Sequence, residues 1–550
     1  MKAENKIKSM PESPSRVAAL AGHGTLRLGL LGAVLLWASL PPLNIALLGW
    51  IAPLPWLWLA RLPVLPGRRP YLALWFSGAV FWTATNHWLR LPHPAILPGW
   101  LALSWYLAAF PPLIVGLARV AAKRGISIVV SGPVLWVAAD QARAYLWTGF
   151  SMSSLSHSQY RNIGIIQIAD LCGEFGVTFL MVVVAASITR ALPIAGVAKF
   201  SPRWLVVGAL AFAVFPLYAP LSHVSNTESP RPLKIALLQG SISSEVKHDR
   251  SKLKTVYDHY VELARRAIAQ DKDVQLIVWP ETMYPDPYLL VGEDFVPTPE
   301  MQITGERLRE NAKLIFDRIV ETIRLFNKPT LLGIASIEFN PPRMKAYNSA
   351  LLLDATGKPM GRYDKQHRVL FGEFIPGADW FPWLYTITPL TGGIEAGRRA
   401  ESFMVDGYNL APNICYETAL ARVIRRQVKE LQDRGAEPDV LVNLTNDSWF
   451  RGSSELDLHL ACGVFRAVEM RKPLVIAANT GFSAHIDVQG NIVQQSPRGE
   501  ADVLVANVGR SMLKSPYLTG GDWLAWLCLA IAGVLGLLGW RDRRRVAGPA

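Results

Sequence analysis

Apolar residues are segregated along this chain. From about Leu26 to Leu221 they form one dense block, from about Ser225 to Leu513 they fall into short runs between polar residues, and from Trp523 to Trp540 they are dense again. A bilayer core of ~30 Å needs about 20 apolar residues per helix. The first block divides into seven candidate spans, near 26–40, 43–60, 71–89, 98–118, 126–142, 172–189 and 204–221, and 522–540 makes an eighth. The Pro41-Pro42 pair separates the first two, whose boundary is the least defined. The middle block has a different rhythm. Apolar, β-branched runs at Lys234–Gln239, Gln275–Trp279, Thr330–Ser336, Tyr347–Leu353, Asn409–Ile414, Val440–Leu444, Leu474–Ala478 and Ser483–Asp487 predict strands. Helical periods at Lys252–Gln270, Thr304–Phe326, Ala419–Gly435 and Leu456–Met470 lie between them. This alternation predicts an α/β domain over 225–513 with helices covering its sheets.

Composition agrees with a membrane chain. Of 550 residues 51% are hydrophobic and 18% charged, against about 25% charged in an average soluble domain. Nineteen Trp, 20 Phe and 15 Tyr exclude disorder. The net charge of +13 fits either nucleic acid or cytoplasmic loops, and position decides between them. With the N-terminus inside, the inner segments hold Lys2, Lys6, Lys8, Arg16, Arg27, Arg61, Arg68, Arg69, Arg119, Lys123, Arg124, Arg190, Lys199, Arg203, Arg541, Arg543, Arg544 and Arg545, whereas the outer loops hold only Arg90, Arg143 and Arg161. The expected layout is therefore a cytoplasmic tail (1–25), a seven-span membrane domain (26–221), an extracytoplasmic α/β domain (225–513), an eighth span (522–540) and a cytoplasmic tail (541–550), with no nucleic-acid partner. The rival reading of 26–40 as a cleaved signal peptide, suggested by Ala38 and Ser39, has too long a leader and reverses the sidedness.

Four scattered cysteines, Cys172, Cys415, Cys462 and Cys528, form no disulfide scaffold and no metal-binding spacing, so no metal or cofactor is expected. Three strand ends carry the chemistry. Val278-Trp279-Pro280-Glu281-Thr282 places a carboxylate where proline stops a ladder. Arg362-Tyr363-Asp364-Lys365-Gln366-His367 leads into Phe371-Gly372-Glu373-Phe374, giving a lysine and a second glutamate. Asn413-Ile414-Cys415-Tyr416-Glu417 puts a thiol between a strand and a helix, whose N-terminus favours thiolate. Singly, such a cysteine also reads as core packing, and such a Lys or Glu as surface charge. Together they suffice for acyl transfer through an acylated thiol.

These three segments resemble the Glu-Lys-Cys blocks of the nitrilase superfamily. With membrane spans on both sides, the chain from about 25 to 540 resembles the apolipoprotein N-acyltransferase family. Supporting blocks are Gln239-Gly240, Tyr347-Asn348-Ser349, Asn446-Asp447-Ser448-Trp449-Phe450, Arg466-Ala467-Val468-Glu469 with Lys472-Pro473-Leu474, Thr148-Gly149-Phe150, and Gln167-Ile168-Ala169-Asp170 with Gly176-Val177. The resemblance implies an αββα sandwich on an eight-span helical bundle in a bacterial inner membrane, with the catalytic domain periplasmic. It implies transfer of an acyl chain from a phospholipid donor to the N-terminal amine of a diacylglyceryl-cysteine apolipoprotein, by ping-pong chemistry through a thioester. By position, Cys415 is then the nucleophile, Glu281 the general base and Lys365 the cation facing the oxyanion, with Glu373, Tyr416 and Glu417 in support.

The chain departs from the family pattern at Gln366-His367-Arg368-Val369-Leu370, Lys247-His248, Ser151-Met152 and Ile476, positions that bear on how the lipid is held. His367, His459 and His485 read as structural or surface residues, and Cys462 as a core thiol on an amphipathic helix. Asp140 and Arg143, three residues apart, either pair with each other or face substrate, and Glu174 lies beside a span. Trp380, Phe381, Trp383 and Leu384 read either as a lid dipping into the bilayer or as ordinary domain packing. Competing functions are a membrane-tethered amidase and a non-catalytic scaffold.

Overall fold

The computed structural model describes residues 24–194, 198–222, 231–298, 301–340, 343–378, 380–387 and 392–547. The tail with Lys2, Lys6, Lys8 and Arg16, and the domain boundary expected at 225, lie outside these residues. Thirteen strands are found among the described residues: β1 Leu233–Gln239, β2 Leu276–Val278, β3 Tyr288–Val291, β4 Thr330–Asn340, β5 Arg343–Leu353, β6 Pro359–Asp364, β7 Phe403–Val405, β8 Tyr408–Ile414, β9 Val440–Thr445, β10 Leu474–Ala478, β11 Ala484–Ile486, β12 Ile492–Gln495 and β13 Asp502–Val508. They form two sheets, ordered β13-β1-β2-β4-β5-β6 with β3 beside β4, and β12-β11-β10-β9-β8-β7. At the centre of the second sheet β8, β9 and β10 run parallel, with Asn413 opposite Asn443.

Alternation along the strands builds the layers. Leu233, Ile235 and Leu237 of β1 face Leu410 of β8, Val440 and Val442 of β9 and Val475 of β10 in one core between the sheets. Ala236 and Leu238 point the other way, onto Val256, Tyr260 and Ala264 of helix Leu253–Gln270 and Ile319 and Ile323 of helix Gly305–Phe326. On the far side, Leu441, Leu474 and Ile476 meet helices Ala421–Asp433 and Glu455–Met470. A period of two on each strand thus gives both sheets two covered faces, the αββα arrangement. The helix expected to be amphipathic is not. Glu455–Met470 is buried along its whole length, because the membrane helices cover the face turned from the sheet.

Four stretches among the described residues are long and apolar enough to cross a membrane: Pro94–Ala122, Glu174–Ala191, Arg203–Pro220 and Trp523–Arg544. The other expected spans are helical but shorter, broken or, in Ile128–Tyr145, less apolar. Gly24–Ser39 has 16 residues, and 43–60 divides into Ala46–Gly49 and Leu54–Arg61, where Pro53 and Pro55 start a new helix because neither offers an N–H to the preceding turn. Helix Ile128–Tyr145 carries Asp140 and Arg143, which pair at 2.9 Å, while Arg143 also donates to the carbonyls of Phe150 and Met152.

Candidate active site

Each residue of the expected triad is delivered by a strand end. After β2, Pro280 cannot extend the ladder, and Glu281 turns over the neighbouring strand β4. Gly333 of β4 makes that approach possible, since a Cβ there would lie 2.0 Å from the Pro280 carbonyl oxygen. β6 ends at Asp364, and the Lys365 N–H donates to Asn348 O at 2.9 Å, so the β5–β6 pairing sets the start of the lysine. β8 ends at Ile414, and the φ of +53° at the next residue, Cys415, is left-handed, a conformation that costs a non-glycine residue about 1–3 kcal/mol. Two side chains hold it there: Asn443 Nδ2 at 3.3 Å and His459 Nε2 at 3.2 Å from the Cys415 carbonyl oxygen.

The three side chains form one charge cluster. The Lys365 Nζ, 1% exposed, donates to Glu373 Oε1 at 2.7 Å and lies 3.6 Å from Glu281 Oε1. Glu281 is fixed at both oxygens, Oε1 accepting from Asn348 Nδ2 at 2.6 Å and Oε2 from the Asn446 N–H at 2.9 Å. Glu373 Oε2 accepts from the Val369 N–H at 2.8 Å. Burial pulls the Lys365 ammonium down, but Glu373, the Cys415 sulfur and Glu281 outweigh it and hold the group above the usual lysine range. Burial pushes the Cys415 thiol well up, Glu281 adds to this, and Lys365 opposes both.

That direction corrects the expectation of a thiolate stabilised by a helix N-terminus. Cys415 opens only a five-residue 3₁₀ turn, Cys415–Ala419, and the following helix begins at Ala421. The thiol is therefore protonated at neutral pH, and Glu281 is the carboxylate whose charge bears on it most.

The supporting glutamate and tyrosine act as ties. Buried Glu417 accepts from Tyr363 Oη at 3.0 and 2.9 Å, from the N–H groups of Gln366 at 2.8 Å and His367 at 2.9 Å, and from the Ile414 N–H at 2.8 Å. One carboxylate thus joins the residues after Lys365 to the residue before Cys415. Burial raises its pKa, and its backbone donors oppose the rise. Tyr416 Oη donates to Gly149 O at 3.1 Å, linking the nucleophile turn to the Thr148-Gly149-Phe150 segment of the membrane part.

His459, read as structural or surface, does act structurally at the Cys415 carbonyl, and sequence reasoning missed Asn443 beside it. The donor atoms of Asp447, Glu455 and His459 lie within 4.8 Å of one another, a set able to hold a cation that their chain spacing does not announce. His459 Nδ1 is 3.4 Å from Asp447 Oδ1. His367 is half-buried, and burial together with Arg422 and Lys365 lowers its pKa to about 4, so it is neutral beside the cluster. Cys172, Cys462 and Cys528 are buried free thiols. Trp380 is 82% exposed and Phe381 and Trp383 are exposed too, so the alternative of ordinary domain packing does not describe them.

Two family models match the chain, that of the apolipoprotein N-acyltransferase N-terminal domain over residues 32–187 and that of carbon-nitrogen hydrolase over 234–515. The apolipoprotein N-acyltransferase of Rhodopirellula baltica is 31% identical over 559 residues, covering 93% of this chain and 97% of the relative. That of Geobacter metallireducens is 31% identical over 531 residues, covering 94% and 95%. Among solved structures, a nitrilase-superfamily amidase from Nesterenkonia is similar over 53% of this chain and 95% of its own, at 17% identity and a TM-score of 0.35.

Proposed function

The chain belongs to the apolipoprotein N-acyltransferase family, and from that premise we propose how its own residues move an acyl chain from a phospholipid to the N-terminal amine of a diacylglyceryl-cysteine lipoprotein. Glu281 takes the Cys415 thiol proton as Sγ attacks the ester carbonyl carbon. Lys365 Nζ faces the oxygen that becomes negative in the tetrahedral intermediate. The C–O bond breaks, Glu281 returns its proton to the leaving glycerol oxygen, and lysophospholipid departs from the thioester. The acceptor's neutral α-amine then attacks the thioester, its proton passes to Glu281, and the Cys415 thiol re-forms. Glu373 keeps Lys365 charged and in place, Glu417 holds lysine and cysteine segments together, and Tyr416 ties them to the membrane part.

The observation that carries this reading is the Glu281–Lys365–Glu373 cluster at the end of β2 and β6, facing a thiol whose backbone is held in a strained turn. The membrane setting has the same logic. Eight spans, cytoplasmic termini and a periplasmic catalytic domain bring the cluster to the outer side of an inner membrane, where a lipid ester and a lipid-anchored amine both arrive. The positive residues at the expected inner ends support this sidedness.

The test is partition of the acyl group. Purified protein in phospholipid vesicles with a synthetic diacylglyceryl-cysteine peptide is expected to yield N-acyl peptide and lysophospholipid in equal amounts. Free fatty acid in place of acyl peptide would instead support the amidase alternative.

A further inference from the structure

The triad mechanism gives Lys247, a cation beside the cluster, no task. Lys247 lies in the short helix Ser244–His248 that follows β1, and its ammonium donates to Thr282 Oγ1, the hydroxyl next in the chain to Glu281. Thr282 has a φ of +51°, so the turn that aims Glu281 also fixes this hydroxyl. No carboxylate among the described residues pairs with Lys247 at ion-pair distance, although it is close enough to Glu281 and Cys415 to feel both. Burial lowers its pKa to about 8 against the opposing pull of Glu281 and Cys415. A half-buried ammonium tied only to a neutral hydroxyl gains by meeting an anion.

The donor brings that anion. Its scissile ester and its phosphodiester share one three-carbon glycerol, so the phosphate must come near the thiol whenever the ester does. Glu281, Glu373 and Glu417 repel it there, and Lys365 is already paired with Glu373 and close to Glu281. Lys247 is a second lysine close enough to Cys415 to feel its charge, and neighbouring His248 packs against Trp449, ring centroids 5.0 Å apart, which gives the same rim an apolar flank.

We propose that Lys247 receives the phosphodiester of the acyl donor and makes the first half-reaction selective for phosphate-bearing esters. The proposal rests on the reading of Cys415 as the acylated thiol. It is tested by single-turnover acylation of the full chain with phosphatidylethanolamine vesicles and with the uncharged ester 4-nitrophenyl palmitate. Lys247→Met is expected to lower the phospholipid rate relative to the neutral-ester rate by about tenfold, the value of one hydrogen bond to a charged group, through a higher half-saturating lipid fraction. Lys247→Arg is expected to recover most of that ratio. An unchanged ratio, equal losses on both donors, or an Arg variant no better than Met overturns the assignment. Absence of acylation in the unsubstituted protein overturns the underlying reading, and this one with it, so the two failures are separable.

Discussion

Cys415 reconciles two opposing requirements. It must be nucleophilic, yet burial and Glu281 keep its thiol protonated, with Lys365 as the opposing influence. Because the folded pKa lies above the usual thiol value, the thiolate fraction stays small at neutral pH and grows only as pH rises. Alkylation of Cys415 by iodoacetamide is therefore expected to climb steadily from about pH 7 to about pH 9, without a neutral plateau. Lys365→Met removes the opposing cation and is expected to slow alkylation, and faster alkylation would contradict the charge assignment. Glu281→Gln is expected to lower the acylation rate by ~10²–10⁴-fold, as loss of a general base does, with far-UV circular dichroism unchanged. That Glu281, Lys365 and Cys415 come together was legible because each lies in its own short block. Its supports were harder to read. The Asn348 and Asn446 contacts to Glu281 span 67 and 165 residues, and the His459 grip on Cys415 spans 44, so neither role follows from local spacing.

At the level of elements, the strongly periodic segments were readable to within a residue or a few, as with helix Leu253–Gln270 and strand β10. The missed strands are β3, β6, β7, β12 and β13. Most of them lie at or beside a sheet edge, and β6 and β12 leave many residues uncovered, so they lack the dense apolar runs that mark central strands. Glu455–Met470 misled in the other direction, its second face being covered by helices from a distant part of the chain. The exposed segment around Trp380 and Trp383 supports the lid expectation. Replacing both by Ser is expected to cut turnover on vesicle lipid severalfold while leaving Cys415 alkylation within twofold, and equal loss of both would contradict a lid role.

Across the whole molecule, the catalytic domain and the membrane helices share one apolar core, which runs from Leu57 and Trp136 through Phe465 to Leu474. A buried ion cluster crosses that junction. Arg466 pairs with Glu174 at 3.0 Å and with Glu469 at 2.9 Å, and Arg471 pairs with Asp170 at 2.6 Å. Arg466→Leu strands two buried carboxylates and is expected to cost about 3–5 kcal/mol, visible as a lower Tm in detergent. Such long-range pairing could not be read from the chain, whereas its division into membrane and α/β parts could, because bilayer and core demand different apolar periods. The central claim is that Cys415 is the thiol that carries the acyl group. Mass spectrometry of the protein after incubation with phospholipid tests it most directly. A hydroxylamine-labile fatty-acyl adduct on the Cys415 peptide, absent from Cys415→Ala, is the predicted result. An unmodified Cys415 with donor present, or an adduct that persists in Cys415→Ala, would contradict it.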